Sequence, residues 1–192
     1  MLEEEYAPRR KLPPHLRPAP PEETPFGFEI RDAAPADLPW IREIYNHYVL
    51  NSTVTFDEKP MTLAVLRKKY QHVVDLGYPF LVAQNPAGQI LGYAYVTPWR
   101  EKAAYRFTVE SSIYLGPAST GKGLGKVLLA DLIARSKAAG AKEMIAVVAD
   151  KGADASIELH RKYGFKEIGH MGKVGFKFGR WLGTVLMQKS LK

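Results

Sequence analysis

The residues best suited to chemistry lie in one stretch near the middle of the chain, where a glutamate precedes a loop with three glycines. Glu110 stands in a run of apolar and β-branched residues, and Gly121, Gly123 and Gly125 follow it. From Leu124 onward apolar residues recur at helical spacing, so the stretch is predicted to form a strand, a glycine loop and a helix. Glycines let several backbone N–H groups approach a ligand, and a helix N-terminus favours negative charge. We expect this loop to bind a diphosphate.

Two kinds of ligand suit such a loop: a nucleoside triphosphate and coenzyme A. Residues 116–123 differ at one position from the P-loop pattern G-x-x-x-x-G-K-[ST], and the apolar run at 145–149 ends in Asp150, as in the metal-binding strand of an NTPase. Gly123, however, stands where a P-loop needs a hydroxyl group to hold magnesium. The pyrophosphate of coenzyme A needs backbone donors and no metal. The sequence therefore favours coenzyme A and predicts no metal site.

Glu110 is the candidate general base. Partial burial in an apolar strand would raise the pKa of its carboxyl group toward a useful value. Strand alternation predicts that Glu110, Ser112 and Tyr114 share one face of the sheet. The alternative is a structural ion pair with an arginine such as Arg106, and spacing alone does not separate the two.

Length and composition limit the function classes. A chain of 192 residues with 46% hydrophobic content can bury one sizeable core, which predicts one domain. It has no cysteine, which excludes disulfides, thiolate metal sites and a cysteine nucleophile. No apolar run approaches the roughly 20 residues that span a bilayer, and the N-terminus does not resemble a secretory signal. We expect a cytoplasmic protein with no membrane contact.

The formal charge of +7 is dispersed along the chain. The longest basic runs are residues 9–11 and 67–69, and the second lies on a predicted helix, where solvated lysines are ordinary. Nucleic-acid binding, which requires clustered charge, is therefore not expected. The positive potential instead suits an anionic cofactor and an acidic substrate.

The organisation of the chain follows from its patterns. Residues 1–27 contain seven of the 14 prolines and few apolar positions, which predicts a disordered arm. Residues 28–192 are expected to form the single domain, an α/β fold in the order β-α-α-β-β-β-α-β-α-β-β. The predicted helices cover residues 37–49, 62–75, 124–139 and 155–163. The predicted strands cover residues 28–31, 78–83, 89–97, 106–115, 143–149, 165–170 and 184–188, and a glycine-rich segment at 172–183 separates the last two.

Several motifs resemble those of one known family. Residues 108–125 are similar to the acetyl-CoA signature of the GNAT-fold N-acetyltransferases, whose loop pattern is [QR]-x-x-G-x-[GA]. The wider set resembles the phosphinothricin and methionine sulfoximine acetyltransferases of that family, over about residues 28–189. Five segments carry this resemblance: residues 44–48 (IYNHY), 99–100 (WR), 108–114 (TVESSIY), 155–160 (ASIELH) and 174–181 (VGFKFGRW).

The resemblance implies a GNAT fold, a mixed and mostly antiparallel sheet flanked by helices, and acetyl-CoA as cosubstrate. It implies transfer of an acetyl group to the α-amine of a small amino-acid-like acceptor, in a protein that is usually a homodimer. Polyamines, antibiotics and protein amines stay open as acceptors, as does nucleotide binding at the imperfect P-loop.

The resemblance also implies a set of site residues. Glu110 and His160 would be catalytic, and His160 could give or take a proton near neutral pH. The expected acetyl-CoA contacts are Ile113, Tyr114, Leu115, Gly121, Lys122, Gly123, Leu124, Gly125 and Lys126. The expected acceptor contacts are Arg100, Glu101, Lys102, Glu110, Ser111, Ser112 and Arg180.

Overall fold

The computed structural model of the protein describes residues 27–192, in which the chain forms seven strands and four α-helices. The helices are α1 (Leu38–Asn51), α2 (Leu63–Asp75), α3 (Leu124–Ala138) and α4 (Asp154–Lys162). The strands are β1 (Glu29–Asp32), β2 (Phe80–Gln84), β3 (Ile90–Pro98), β4 (Thr108–Leu115), β5 (Glu143–Ala149), β6 (Lys166–Lys177) and β7 (Arg180–Ser190). Their order along the chain is the predicted one. The prediction of a disordered arm at 1–27 lies outside the described residues except for Gly27.

The seven strands form one sheet in the order β1-β2-β3-β4-β5-β7-β6. Neighbouring strands are antiparallel except β4 and β5, which are parallel. The crossover between these two strands is helix α3, because parallel neighbours need a long connection. The predicted α/β fold with a mixed, mostly antiparallel sheet is confirmed.

Local signals in the sequence account for the ends of several elements. The hydroxyl of Thr62 caps α2 by accepting a hydrogen bond from the Val65 N–H at 3.3 Å. Helix α3 ends before Gly140, whose φ of +94° is in the left-handed region that favours glycine. Residues 85–88 form the predicted turn between β2 and β3, where the Asn85 N–H donates to the Gln89 carbonyl oxygen.

The sheet separates two helical layers. Helices α1 and α2 pack on one face, against side chains such as Val82, Tyr93 and Tyr95. Helix α3 packs on the other face, where Leu128 and Leu132 contact a core cluster that contains strand residues of β2 to β5. Each central strand therefore contributes alternate side chains to the two layers. Both layers are well filled, which holds the strands rigidly for a site built on them.

The sheet opens between its two parallel strands. The β4–β5 ladder runs from Thr108↔Glu143 only to Ser111↔Ala146, whereas the β3–β4 ladder continues to Leu115. Strand β5 continues beyond Ala146 with β7 as its partner. The second half of β4 therefore has no strand neighbour on its β5 side within residues 27–192. We call the space beside residues 112–115 the β4–β5 gap.

The C-terminal hairpin differs from its prediction. The segment at 172–183 was expected to separate two short strands, but it belongs to the long strands β6 and β7. The hairpin turns at Phe178 and Gly179, with φ of 52° and 72°, and the register shifts between Met171 and Gly175. Nearly all residues of β6 are exposed, so the strand lacks the alternation by which a half-buried strand is recognised.

Candidate active site

The predicted diphosphate loop has the geometry that its glycines suggest. Gly121 and Gly123 have φ of +75° and +81°, and a Cβ atom on either would meet nothing within 4 Å. Gly123 immediately precedes α3, so the N–H groups of Leu124 and Gly125 lie directly after it, whereas the Lys126 N–H donates to the Gly123 carbonyl oxygen at 3.1 Å. The loop thus combines open space with backbone donors. This is the arrangement that an anionic group at a helix N-terminus requires.

Gly125 plays a different part from the two glycines before it. A Cβ atom at this position would lie 3.4 Å from Leu159 and 3.5 Å from Leu115. Gly125 therefore lets α3 approach both β4 and α4. Lys122 and Lys126 are exposed, whereas the side chain of Leu124 is fully buried, so Leu124 can offer a ligand only its backbone.

The β4–β5 gap exposes backbone groups of β4. Gly116 N–H donates to Leu91, and Trp99 N–H donates to Thr108, so even-numbered residues of β4 direct their polar groups toward β3. Ile113 and Leu115 then direct theirs into the gap, and the hydroxyl of Tyr48 reaches the Leu115 carbonyl oxygen at 2.6 Å. Of the three residues expected to pair with the coenzyme, Tyr114 is engaged with β3.

Glu110 lies one residue before the end of the β4–β5 ladder. Its side chain is half-buried, and burial raises the pKa of the carboxyl group, while the charges of Arg100 and Lys69 oppose that rise. The alternative partner Arg106 stacks on Phe107, with its guanidinium carbon 4.5 Å from the ring centroid. None of the ion pairs within residues 27–192 involves Glu110. A carboxylate in this state can accept a proton near neutral pH.

His160 is almost completely buried in α4, with 2% of its surface exposed. Nδ1 lies 2.7 Å from the Ser156 carbonyl oxygen, and a carbonyl can only accept, so Nδ1 carries the proton of the neutral ring. Nε2 then offers a lone pair, and it has no hydrogen-bond partner among the described residues. Burial lowers the pKa of the ring, against the opposing effect of the Ser156 carbonyl. His160 is therefore poised as an acceptor.

Glu110 and His160 lie on opposite sides of the sheet. Glu110 shares its face with Tyr114, which packs in the layer of α1 and α2. Helix α4 packs with α3, since Leu159 and Leu115 both approach Gly125. No hydrogen bond or ion pair between Glu110 and His160 occurs in the described part of the chain. The β4–β5 gap begins one residue beyond the end of the ladder that contains Glu110.

The face that carries Glu110 is lined with aromatic rings. Tyr93 stacks between Tyr95 and Tyr114, with centroid distances of 6.2 and 5.4 Å, and Tyr45 meets Tyr114 edge-on at 5.3 Å. Burial raises the pKa of Tyr114 well above its usual range, so this ring stays neutral. The rings form a wall that excludes water from one side of the site.

The loop between α1 and α2 closes the wall at one end. The hydroxyl of Tyr45 donates to the Asp57 carboxylate at 2.6 Å. The buried ammonium of Lys177 donates to the carbonyl oxygens of Ser52 and Thr55 at 2.8 and 2.9 Å. Sequence reasoning did not identify the contacts of Lys177, because they join residues about 120 positions apart.

The expected acceptor contacts are spread over several surfaces. Arg100 is exposed and stacks on Trp99, with its guanidinium carbon 4.3 Å from the ring centroid, and Glu101 and Lys102 are exposed beside it. Ser112 shares the face of Glu110. The hydroxyl of Ser111 faces away and donates to the Ile145 carbonyl oxygen at 3.2 Å.

Arg180 is exposed at the start of β7, opposite Lys177. Within residues 27–192, no hydrogen bond or ion pair joins Arg180 to Arg100.

The contacts of Asp150 do not support the NTPase-like pattern in the sequence. Asp150 accepts hydrogen bonds from the Gly183 N–H at 2.9 Å and pairs with His170 at 3.1 Å, so the C-terminal hairpin engages its carboxylate. Residues 27–192 contain no group of three or more His, Asp or Glu side chains that could hold a metal ion. In the same part of the chain, no helix is both long and apolar enough to cross a membrane.

The known proteins to which this chain is similar include several acetyltransferases. Residues 41–165 match the family described as "Acetyltransferase (GNAT) family". The chain is 45% identical to a phosphinothricin N-acetyltransferase of Alcaligenes faecalis over 162 residues, which cover 84% of this chain and 82% of the relative. It is 46% identical to an L-methionine sulfoximine/L-methionine sulfone acetyltransferase of Pseudomonas aeruginosa over 162 residues, covering 84% and 94%.

Solved structures extend the comparison to the fold. A phosphinothricin acetyltransferase of Sinorhizobium meliloti in complex with acetyl-CoA superposes with a TM-score of 0.81 at 46% identity, over 85% of this chain and 88% of that one. A putative acetyltransferase of Salmonella typhimurium, solved with its cofactor acetyl-CoA, superposes with a TM-score of 0.83 at 40% identity, over 86% and 95%.

Proposed function

The chain belongs to the acetyltransferase (GNAT) family, and from this premise we propose that it transfers an acetyl group from acetyl-CoA to the α-amine of a small amino-acid-like acceptor. The acceptor class is that of phosphinothricin and methionine sulfoximine, which relatives at 45% and 46% identity acetylate. The family match and these relatives confirm the family resemblance that the sequence motifs indicated.

The observation that carries the proposal is the position of the β4–β5 gap. The glycine loop that can bind a diphosphate lies just beyond one end of it, and Glu110 lies just beyond the other. Four residues of β4 separate these ends, a length of about 13 Å at roughly 3.3 Å per residue. An extended coenzyme arm can follow this edge, because Ile113 and Leu115 offer backbone groups along it.

The residues present fit acetyl-CoA. The coenzyme supplies the acetyl group as an activated thioester. The backbone N–H groups at 121–125 would hold its pyrophosphate, with the side chains of Lys122 and Lys126 adding positive charge. Nε2 of His160, buried without a partner in the described residues, would accept a hydrogen bond within the closed site.

Glu110 would prepare the acceptor. An α-amine is mostly ammonium at neutral pH and must lose a proton before it can attack. A half-buried carboxylate with a raised pKa can take that proton, directly or through one water molecule. The aromatic wall beside it excludes bulk water, which strengthens the electrostatic interactions inside the site.

The test is a screen of acceptors against acetyl-CoA with detection of the released thiol, in excess EDTA. Phosphinothricin, methionine sulfoximine and methionine sulfone should release thiol, whereas spermidine, an aminoglycoside and a lysine-containing peptide should not. Thiol release only with the second group would overturn the acceptor class. Turnover of ATP that EDTA abolishes, with no acetyl transfer, would overturn the proposed activity.

We further propose that the protein is a homodimer. Strand β6 is an edge of the sheet, and the hairpin that it forms with β7 exposes several large apolar side chains. This apolar patch comprises Ile168, Met171, Val174, Phe176, Phe178 and Trp181. Large exposed apolar side chains on an edge strand and its neighbour are typical of an interaction site. A second copy presents the same patch and can cover it across a two-fold axis.

A further inference from the structure

One lysine of α2 occupies a position that normally belongs to the core. Lys69 follows Leu66 by three residues and precedes Val73 by four, and both of these side chains are buried against the sheet. Residues at this spacing share one face of a helix. Lys69 is accordingly half-buried, whereas Arg67 and Lys68 are exposed. The expectation of an ordinary solvated run at 67–69 is therefore wrong for Lys69.

The sheet holds the ammonium group of Lys69 over strand β3. Nζ lies 3.4 Å from the hydroxyl of Tyr95 and 5.6 Å from the centroid of that ring. Tyr95 pairs with Ser112 on the neighbouring strand, and Thr97 pairs with Glu110. Tyr95 and Glu110 are thus diagonal neighbours on one face, a separation of about 7–8 Å between Cα atoms. The ammonium group therefore belongs to the surface on which the acceptor must lie.

The charges on this surface do not balance. Arg100 and Lys69 are the two cations whose fields oppose the raised pKa of Glu110. Neither takes part in any ion pair within residues 27–192. Glu110, Arg100 and Lys69 together therefore carry two positive charges and one negative charge. An acceptor with one ammonium and one carboxylate leaves that excess in place, whereas an acceptor with a further anionic group cancels it.

We propose that Lys69 is a specificity-determining residue that, beside Arg100, binds the acidic side-chain group of the acceptor and so favours amino acids with an acidic side chain over neutral ones. The acidic group is a phosphinate, phosphonate or carboxylate. The neutral competitors are sulfones and sulfoximines. This inference rests on the proposed function, since it concerns the acceptor surface of the same site.

The experiment compares two acceptors of similar shape and different charge, phosphinothricin and methionine sulfone. The full-length wild type is measured beside Lys69→Met and Lys68→Met by thiol release at saturating acetyl-CoA. Lys68→Met removes the same charge from an exposed neighbouring position and is the matched control. We expect Lys69→Met to lower kcat/KM for phosphinothricin about tenfold, as for loss of a charge-assisted hydrogen bond. At a pH above the acidic limb, its kcat/KM for methionine sulfone should change less than about twofold, and Lys68→Met should match wild type with both acceptors.

The pH profile supplies a second readout that a merely structural lysine would not move. Lys69 stabilises the Glu110 carboxylate, so its removal should shift the acidic limb of kcat/KM for methionine sulfone to higher pH. Lys69→Arg, which keeps the charge, should restore both the acceptor preference and the wild-type position of the acidic limb.

Three results would overturn the assignment of Lys69. These are an equal loss with both acceptors, an unshifted acidic limb, and a failure of Lys69→Arg to restore the preference. A wild type that releases no thiol with either acceptor would instead remove the proposed function itself. If Lys69→Met does not fold, Lys69→Gln is measured in the same way.

Discussion

At the scale of single residues, the proposed chemistry depends on how the fold sets the protonation of two side chains. Glu110 is half-buried without an ion-pair partner in the described residues, and burial raises its pKa against the fields of Arg100 and Lys69. His160 is buried with its Nδ1 proton committed to a backbone carbonyl, which leaves a lone pair on Nε2. The Glu110 carboxylate therefore binds a proton more readily than a solvated glutamate does, and the neutral ring of His160 can accept a hydrogen bond at Nε2.

Glu110→Gln should remove the general base while leaving the fold intact. We expect kcat to fall about 100-fold or more, which is the usual contribution of a positioned acid or base. The KM for acetyl-CoA should stay within about twofold, because the coenzyme is held elsewhere. The acidic limb of the pH profile of kcat/KM should also disappear. Glu43→Gln, at an exposed position of α1, is the control. An unchanged kcat near neutral pH would show that another group takes the proton.

His160 should make stability depend on pH. Burial places its folded pKa below the unfolded value of about 6.5, so protonation favours the unfolded chain. The stability that depends on neutral His160 is complete above pH 6.5 or so, and it is lost as pH falls through the folded pKa. His160→Gln should flatten this acidic loss of stability, measured as urea midpoints from pH 7.5 to 5.0.

His47→Gln, at an exposed position of α1, should retain the pH dependence of wild type. Parallel curves for wild type and His160→Gln would contradict the burial argument.

At the scale of elements, the start of α3 is the feature on which the proposed coenzyme site depends. Gly121 and Gly123 keep their space open, whereas Gly125 uses the absence of a side chain for close packing. The loop pattern alone does not separate these roles, since all three positions are glycine. They are distinguished by the neighbours that each residue meets in space.

Gly123→Ala tests the loop against a matched position at the other end of the same helix. Gly123 and Gly140 both have positive φ and open surroundings, so alanine at either should destabilise the protein by about 1–2 kcal/mol. Only Gly123→Ala should also weaken acetyl-CoA binding, by about tenfold or roughly 1.4 kcal/mol. Calorimetric titration of both variants with acetyl-CoA gives the comparison. Equal affinities would place the pyrophosphate elsewhere.

At the scale of the whole molecule, the apolar patch on the β6–β7 hairpin is the surface that the monomer leaves uncovered. Val174 lies in it with 52% of its surface exposed, as does Val65 on α2, away from the hairpin. A dimer that forms through the patch would bury Val174 and leave Val65 exposed to solvent.

Val174→Lys should therefore dissociate the proposed homodimer. Light scattering after size exclusion should give twice the chain mass of 21.5 kDa for wild type and for Val65→Lys. It should give the mass of one chain for Val174→Lys, because burying a lysine in an apolar contact is costly. A wild-type protein with the mass of one chain at micromolar concentration would contradict the proposed dimer.

Local patterns in the sequence determined the element order, the glycine loop and the face that Glu110 shares with Tyr114, since helix and strand periods and turn residues act over a few positions. Only the tertiary structure decided which residues meet across long separations. Lys69 reaches Tyr95, Lys177 reaches the carbonyl of Ser52, and β5 separates from β4 after Ser111 while it stays paired with β7 as far as Ala149. The full length of strands β6 and β7 was also visible only in the tertiary structure, since an exposed edge strand needs no alternation of apolar residues. Such contacts depend on how distant segments pack, and one-dimensional spacing carries no record of that packing.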